Sequence, residues 1–151
     1  MRQFLPRPAA TWRSARGSSG ARLPAGWNCG LTRFGSPVGG RSCAVEPMMT
    51  IEYAVAGLSL LEATQPGPQA IRVSVGHLQL ARGTRVTRAA MSVSFDGGKT
   101  WHRARVTGHG GSYTAAFTAP AGVEVSLRAS AADAAGGSIA ETITNAYRTS
   151  S

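Results

Sequence analysis

Hydrophobic and polar residues alternate with a period of two over most of the chain after residue 47. Successive side chains of a strand point to opposite faces, so this alternation predicts strands with one buried and one exposed face. About seven strands are expected between turns rich in Gly, Pro and Asp. Their clearest apolar positions are Met49, Ile51, Tyr53 and Val55; Ile71, Val73 and Val75; Met91, Val93 and Phe95; Tyr113, Ala115 and Phe117; Val123, Val125, Leu127 and Ala129; and Ile139 and Ile143.

This pattern divides the chain into three parts. Residues 48–148 are predicted to form an all-β domain, an antiparallel β-sandwich of the immunoglobulin or fibronectin-III type, with 57–63 as the only short candidate for a helix. Residues 23–47 are interrupted by Gly and Pro and predict an irregular connection that contains Cys29 and Cys43. Residues 1–22 are rich in Arg, Gly, Ser and Pro. We expect them to be disordered, because they carry too little apolar surface to offset the entropy of ordering.

The formal charge of +9 is concentrated in the first third of the chain. Residues 1–45 hold seven Arg and no acid, whereas the rest holds nine basic and seven acidic residues. An Arg-rich leader could bind nucleic acid, but only Trp12 and Trp27 are near it to stack on bases, so nucleic acid is disfavoured as a partner. No apolar run approaches about 18 residues, so no membrane span is expected. The first ten residues contain no apolar core of a signal peptide.

The sharpest local motif is the segment SFDGGKTW, residues 94–101. Asp-Gly-Gly between two strands supplies residues that tolerate positive φ, as a tight hairpin requires. The spacing of Ser94, Asp96, Gly98, Thr100 and Trp101 resembles the Asp-box of sialidase-type propellers, which is a structural motif there. A propeller needs several copies and this chain has one. We therefore assign these residues to a structural hairpin, with Trp101 covering Phe95 and the hairpin base.

No arrangement in the sequence is typical of an active site. His77, His102 and His109 are scattered and lack the spacing of metal ligands. Ser112 and Ser138 lie in turns without the flanking glycines of a nucleophile elbow. Two cysteines are too few for a dense disulfide scaffold or a four-cysteine zinc site. The sequence predicts no catalytic residue, no metal site and no cofactor.

Six segments together carry a resemblance to a known family: TWRSA (11–15), LPAGWNCG (23–30), CAVEPMMTIEYAV (43–55), VSVGH (73–77), VSFDGGKTWHRA (93–104) and SLRASAADAAGGSIAETITNAY (126–147). With them the chain from residue 11 to 147 resembles the carboxy-terminal region of secreted, actinobacterial subtilisin-like serine peptidases. In that family the region follows the protease domain and forms a β-rich accessory module. The catalytic Asp, His and Gly-Thr-Ser motifs have no counterpart in this sequence. The resemblance therefore implies a detached tail (a truncated gene, a mis-called start or a relic) and no catalytic residue.

Four functions follow from these observations. The first is a non-catalytic module that stabilises, positions or targets a peptidase, with the cognate protease domain as partner. The second is a carbohydrate- or cell-wall-binding sandwich, in which Trp27, Tyr113 or Trp101 would stack on sugar rings. The third is residual enzymatic function, either as a hydrolase subunit or by complementation with a separately encoded protease, and the fourth is nucleic-acid binding through the Arg-rich leader. The resemblance implies an extracellular location, although a chain without a signal peptide would be cytoplasmic. The secreted family and the flanking Gly-rich loop also predict a Cys29–Cys43 disulfide.

Overall fold

A computed structural model describes residues 8–13, 32–33, 36–37, 47–79 and 81–151. This part of the chain contains strands and no helix. The strands are β1 (Pro8–Arg13), β2 (Thr32–Arg33), β3 (Ser36–Pro37), β4 (Met49–Val55), β5 (Ala63–Thr64), β6 (Gly67–His77), β7 (Val86–Ser94), β8 (His102–Arg103), β9 (Arg105–His109), β10 (Ser112–Ala119), β11 (Glu124–Asp133) and β12 (Ser138–Thr149). Among the described residues there is thus no helix that could cross a membrane.

The strands form two facing sheets and a separate two-stranded antiparallel sheet of β2 and β3. Sheet I has the order β1-β12-β11-β7-β8, and β5 adds to β12 in parallel. Sheet II has the order β4-β6-β10-β9, and every pair in it is antiparallel. The seven main strands, in chain order, are β4, β6, β7, β9, β10, β11 and β12, and they can be labelled A to G. Sheet II then contains A, B, E and D, and sheet I contains C, F and G, which is the immunoglobulin arrangement. The predicted all-β sandwich is confirmed.

The core lies between the two sheets and is apolar. Alternate residues are buried most regularly in β6, where Ile71, Val73 and Val75 face inward. Met91 and Val93 of β7 and Leu127 of β11 meet them from sheet I, each at most 2% exposed. Burying such side chains is worth about 1.5–3 kcal/mol each. Hydrophobic burial therefore holds the two sheets together.

The two open sides of the sandwich are closed differently. On one side the chain leaves sheet I after Arg103 and enters sheet II at Arg105; between them the Ala104 amide donates to the Met91 carbonyl, at 3.0 Å. On the other side the Tyr53 hydroxyl donates to Glu141 Oε2 at 3.0 Å. Burial, and then the neighbouring Glu141 charge, raises the pKa of Tyr53 far above its ordinary value. The Tyr53 hydroxyl is thus neutral, and the hydrogen bond that it donates to Glu141 joins the two sheets.

Two expectations from the sequence differ from the structure. The helical candidate 57–63 is a turn-containing loop that leads into β5. Within the leader expected to be disordered, Pro8–Arg13 forms β1, paired antiparallel with residues Ser138 to Ile143 of β12. Strand addition is driven by backbone hydrogen bonds to an open sheet edge, so it does not need the apolar side chains that the leader lacks. The rest of residues 1–22 lies outside the described residues.

Candidate functional site

The Asp-box-like motif closes the loop between β7 and β8. Ser94 Oγ donates to Asp96 Oδ1 at 2.7 Å and accepts the Gly98 amide at 2.9 Å. The Thr100 hydroxyl donates to Asp96 Oδ2 at 2.6 Å, and the Lys99 and Thr100 amides donate to Oδ1 at 3.0 and 2.9 Å. These bonds, led by the one from the Thr100 hydroxyl, hold the pKa of Asp96 well below its ordinary value. A carboxylate with these partners organises the loop.

Trp101 lies at the base of this hairpin and is half-buried. Its Nε1–H donates to the Gly98 carbonyl at 3.0 Å, and Gly98, at φ +89°, lets the backbone come under the ring. The guanidinium carbon of Arg128 lies 4.0 Å from the ring centroid. The indole therefore contacts the loop and an arginine. Phe95, which we expected under Trp101, stacks instead on His102 with ring centroids 5.8 Å apart.

The aromatic residues suggested for sugar stacking have different environments. Tyr113 is 6% exposed and belongs to the core, so its ring cannot reach an external ligand, and the expectation that it stacks on sugars is wrong. Trp27 lies outside the described residues, as do Cys29 and Cys43 with their predicted disulfide. Trp12, which we weighed only as part of an Arg-rich leader, is 50% exposed on β1. Pairing of β1 with β12 brings Trp12 to sheet I, and no local pattern in the sequence predicts that pairing.

The structure brings together one of the catalytic candidates with an acid. His77 Nε2 lies 2.9 Å from Asp133 Oδ2, and the other oxygen of Asp133 accepts the Gly137 and Ala135 amides at 2.7 and 2.9 Å. Burial works against the charged carboxyl, but the bond to His77 and the amides outweigh it and lower the pKa of Asp133. A Cβ at residue 83 would overlap the imidazole, so Gly83 packs directly on His77. The pair fastens the β11–β12 turn to the end of β6.

The remaining candidates do not assemble into a site. His102 stacks on Phe95, and His109 and Ser112 end β9 and begin β10 as exposed residues. Ser138 begins β12. In the part of the chain that the structure describes, no three His, Cys, Asp or Glu residues are placed to hold a metal ion. None of the hydrogen bonds described there joins a Ser hydroxyl to a His.

Two exposed features of the described part of the chain lie outside the core of the sandwich. The first, which we call the arginine face, is the outer surface of sheet I around Arg13, Arg88, Arg103 and Arg128, with Trp12 at its edge. A groove of about 660 Å³ runs over it, and its floor is made of small residues of β7, β11 and β12, among them Ala90, Ser130 and Ala140. Among the described residues the one ion pair is His77–Asp133, so none of these arginines is paired with a carboxylate.

The second feature, which we call the leucine loop, comprises residues 57–62 between β4 and β5. Leu58, Leu60 and Leu61 are 43%, 104% and 76% exposed. The loop is nevertheless well anchored, because the Ser59 amide donates to the Ala63 carbonyl at 2.9 Å and the Arg148 amide to the Glu62 carbonyl at 3.0 Å. It therefore presents three leucines to solvent on a fixed backbone.

Comparison with known proteins adds no relative. No protein-family model matches the chain, and a search of curated proteins returns no match. The arginine face, the leucine loop and the fully occupied polar clusters are therefore the features that bear on function.

Proposed function

We propose that the chain is a non-catalytic β-sandwich module that docks on a secreted subtilisin-like serine peptidase and stabilises or positions it. The observation that carries this proposal is the leucine loop. Three neighbouring leucines exposed to solvent form an apolar patch, and such patches mark sites at which proteins interact. The identity of the partner comes from the resemblance of the sequence to the carboxy-terminal region of these peptidases.

The polar clusters support a module without chemistry of its own. Asp96 closes a hairpin, Asp133 and His77 fasten a turn, and Glu141 joins the two sheets. Each of these carboxylates is already committed to a structural bond.

The test is binding to the catalytic domain of a subtilisin-like peptidase encoded in the same genome, with its nucleophilic serine replaced by alanine. Calorimetry would compare the 151-residue chain with the variant L58S/L60S/L61S. Removing apolar surface from the centre of an interface costs affinity, so we expect the dissociation constant to rise at least tenfold. The control is Leu78→Ser, which changes a leucine that is 41% exposed elsewhere. Absence of binding, or equal binding by the triple variant, overturns the proposal.

A second candidate function is carbohydrate binding, with an extracellular or cell-wall polymer as the ligand. The specific observation in its favour is Trp12, which is 50% exposed and lines one side of the groove together with Thr11 and Arg13. Indole rings stack on the apolar faces of sugars, and extended grooves accommodate linear chains. In this setting the module would target its peptidase to a polymer, so the two functions are compatible.

A further inference from the structure

We infer that the groove of the arginine face binds a linear acidic polysaccharide through the carboxylates of its uronic acid residues. The inference rests on the carbohydrate-binding function proposed above and names the class of polymer. It is carried by Arg88 of β7 and Arg103 of β8, which line the groove with Arg13 across from them, and by Arg128 on the neighbouring strand β11.

The spacing of the arginines indicates a ligand with several charges. Arg103 and Arg128 lie on either side of Ser92, which pairs with both. With strands about 4.8 Å apart, their Cα atoms are about 10 Å from each other. Arg88 lies four residues from Ser92 along β7, a distance of about 13 Å. The arginines are thus spread over strands β1, β7, β8 and β11 and are not gathered at one position. They match a polymer that carries a charge at intervals.

The electrostatics of the face also favour an acidic ligand. Glu141 is the acid nearest to the groove on β12, but its carboxylate accepts the Tyr53 hydroxyl on the inner side of the sheet. Glu124 lies at the far end of β11, opposite Arg148. The arginines are exposed and their charges are not neutralised by the described part of the chain. Arginine is also the side chain best suited to bidentate recognition of a carboxylate.

The shape of the groove favours a sugar polymer over a nucleic acid. Single-stranded nucleic acids are bound by rows of aromatic rings on which successive bases stack. In this groove one indole, Trp12, is exposed at the side, and the Trp101 ring is already covered by Arg128. Most residues of β7, β11 and β12 that line the groove are alanine or serine, so an extended chain can lie across these strands. Arg128 itself is held in place by its contact with Trp101, which lowers the entropy lost on binding.

The test measures binding of the full chain to polygalacturonate, with dextran as neutral polymer and single-stranded DNA as another polyanion, all at the same physiological salt concentration. The variant R88Q/R103Q removes two charges from the face. The matched control R72Q/R82Q removes two exposed charges outside it and has the same net charge. Both variants should melt as the unmodified chain does, because all four side chains are exposed.

We expect R88Q/R103Q to weaken binding to polygalacturonate at least tenfold and R72Q/R82Q less than twofold. Trp12→Ala should weaken it several-fold. Equal losses in the two arginine variants, or DNA binding as tight as that of polygalacturonate, would show attraction by net charge alone and overturn the inference. Binding of dextran that depends on Trp12 but not on the arginines would support the carbohydrate function and refute the acidic ligand. Binding to neither polysaccharide refutes both, while docking by the leucine loop is tested separately.

Discussion

At the scale of single residues, Asp133 shows how a buried charge is used. Its side chain is 1% exposed, yet both oxygens have partners: His77 on one, and the Ala135 and Gly137 amides on the other. A buried carboxylate without such partners would be protonated or would destabilise the fold. Three elements meet at this one group, since it joins the end of β6 to the β11–β12 turn.

We expect Asp133→Asn to destabilise the domain by about 2 kcal/mol at pH 7, because an amide cannot replace all three accepted hydrogen bonds. The pKa of Asp133 is lowered in the folded protein, so its contribution is present above the ordinary Asp pKa and is lost as the pH falls below it. Urea unfolding at pH 7 and pH 3 would show the difference between the two proteins shrink at the lower pH. Glu52→Gln, an exposed carboxyl on β4, is the control. A difference that is the same at both pH values would contradict this account.

At the scale of elements, the β7–β8 hairpin combines a polar loop with an aromatic base. The carboxylate of Asp96 organises the loop from within, and Trp101 fixes the loop to the outer side of sheet I through Gly98 and Arg128. Phe95, one residue after β7, packs inward against His102 and Phe117. Phe95 and Trp101 of this hairpin thus pack on opposite faces of sheet I.

Trp101→Ala is expected to cost about 2 kcal/mol of unfolding free energy. A fully buried tryptophan would cost roughly 3–5 kcal/mol, but this indole is half-buried and loses correspondingly less. Denaturant unfolding of Trp101→Ala beside Trp12→Ala provides the comparison, because the 50% exposed Trp12 lies outside the core. Asp96→Ala should cost less than Trp101→Ala, as no cavity opens. If the Trp101 variant is as stable as the unmodified chain, the indole does not hold the hairpin to sheet I.

At the scale of the whole molecule, the sequence predicts the sandwich well and its surfaces poorly. The period-two runs from Met49 to Val55 and from Ile71 to Val75 identify core strands, because burial of one face imposes that period locally. The short strands β5 and β8 cannot be predicted from the sequence, because two residues are too few to show an alternation of hydrophobic and polar positions. The arginine face cannot be predicted for another reason. Its residues are far apart in the sequence and come together only because the strands pair.

Removal of residues 1–13 tests the least expected pairing, that of β1 with β12. The composition of the leader predicts no loss of stability, whereas the six paired residues of β1 predict a loss of about 1–2 kcal/mol. A chain that lacks only residues 1–7 keeps the strand and serves as control. Thermal unfolding of the three proteins would separate the two expectations. If the longer deletion melts like the full chain, β1 contributes nothing to the fold.

The position of β1 also bears on how copies of this chain can associate. Thirty-five residues, 14–48, separate β1 from β4 along the chain, and they include β2 and β3. Because backbone hydrogen bonds hold β1 on the edge of β12, the same edge of a second molecule offers β1 an equivalent partner. Reciprocal exchange of β1 would produce a swapped dimer in which every backbone bond of the monomer is retained. At high protein concentration, two molecules would thus be joined at the edge of β12 that β1 covers in the monomer.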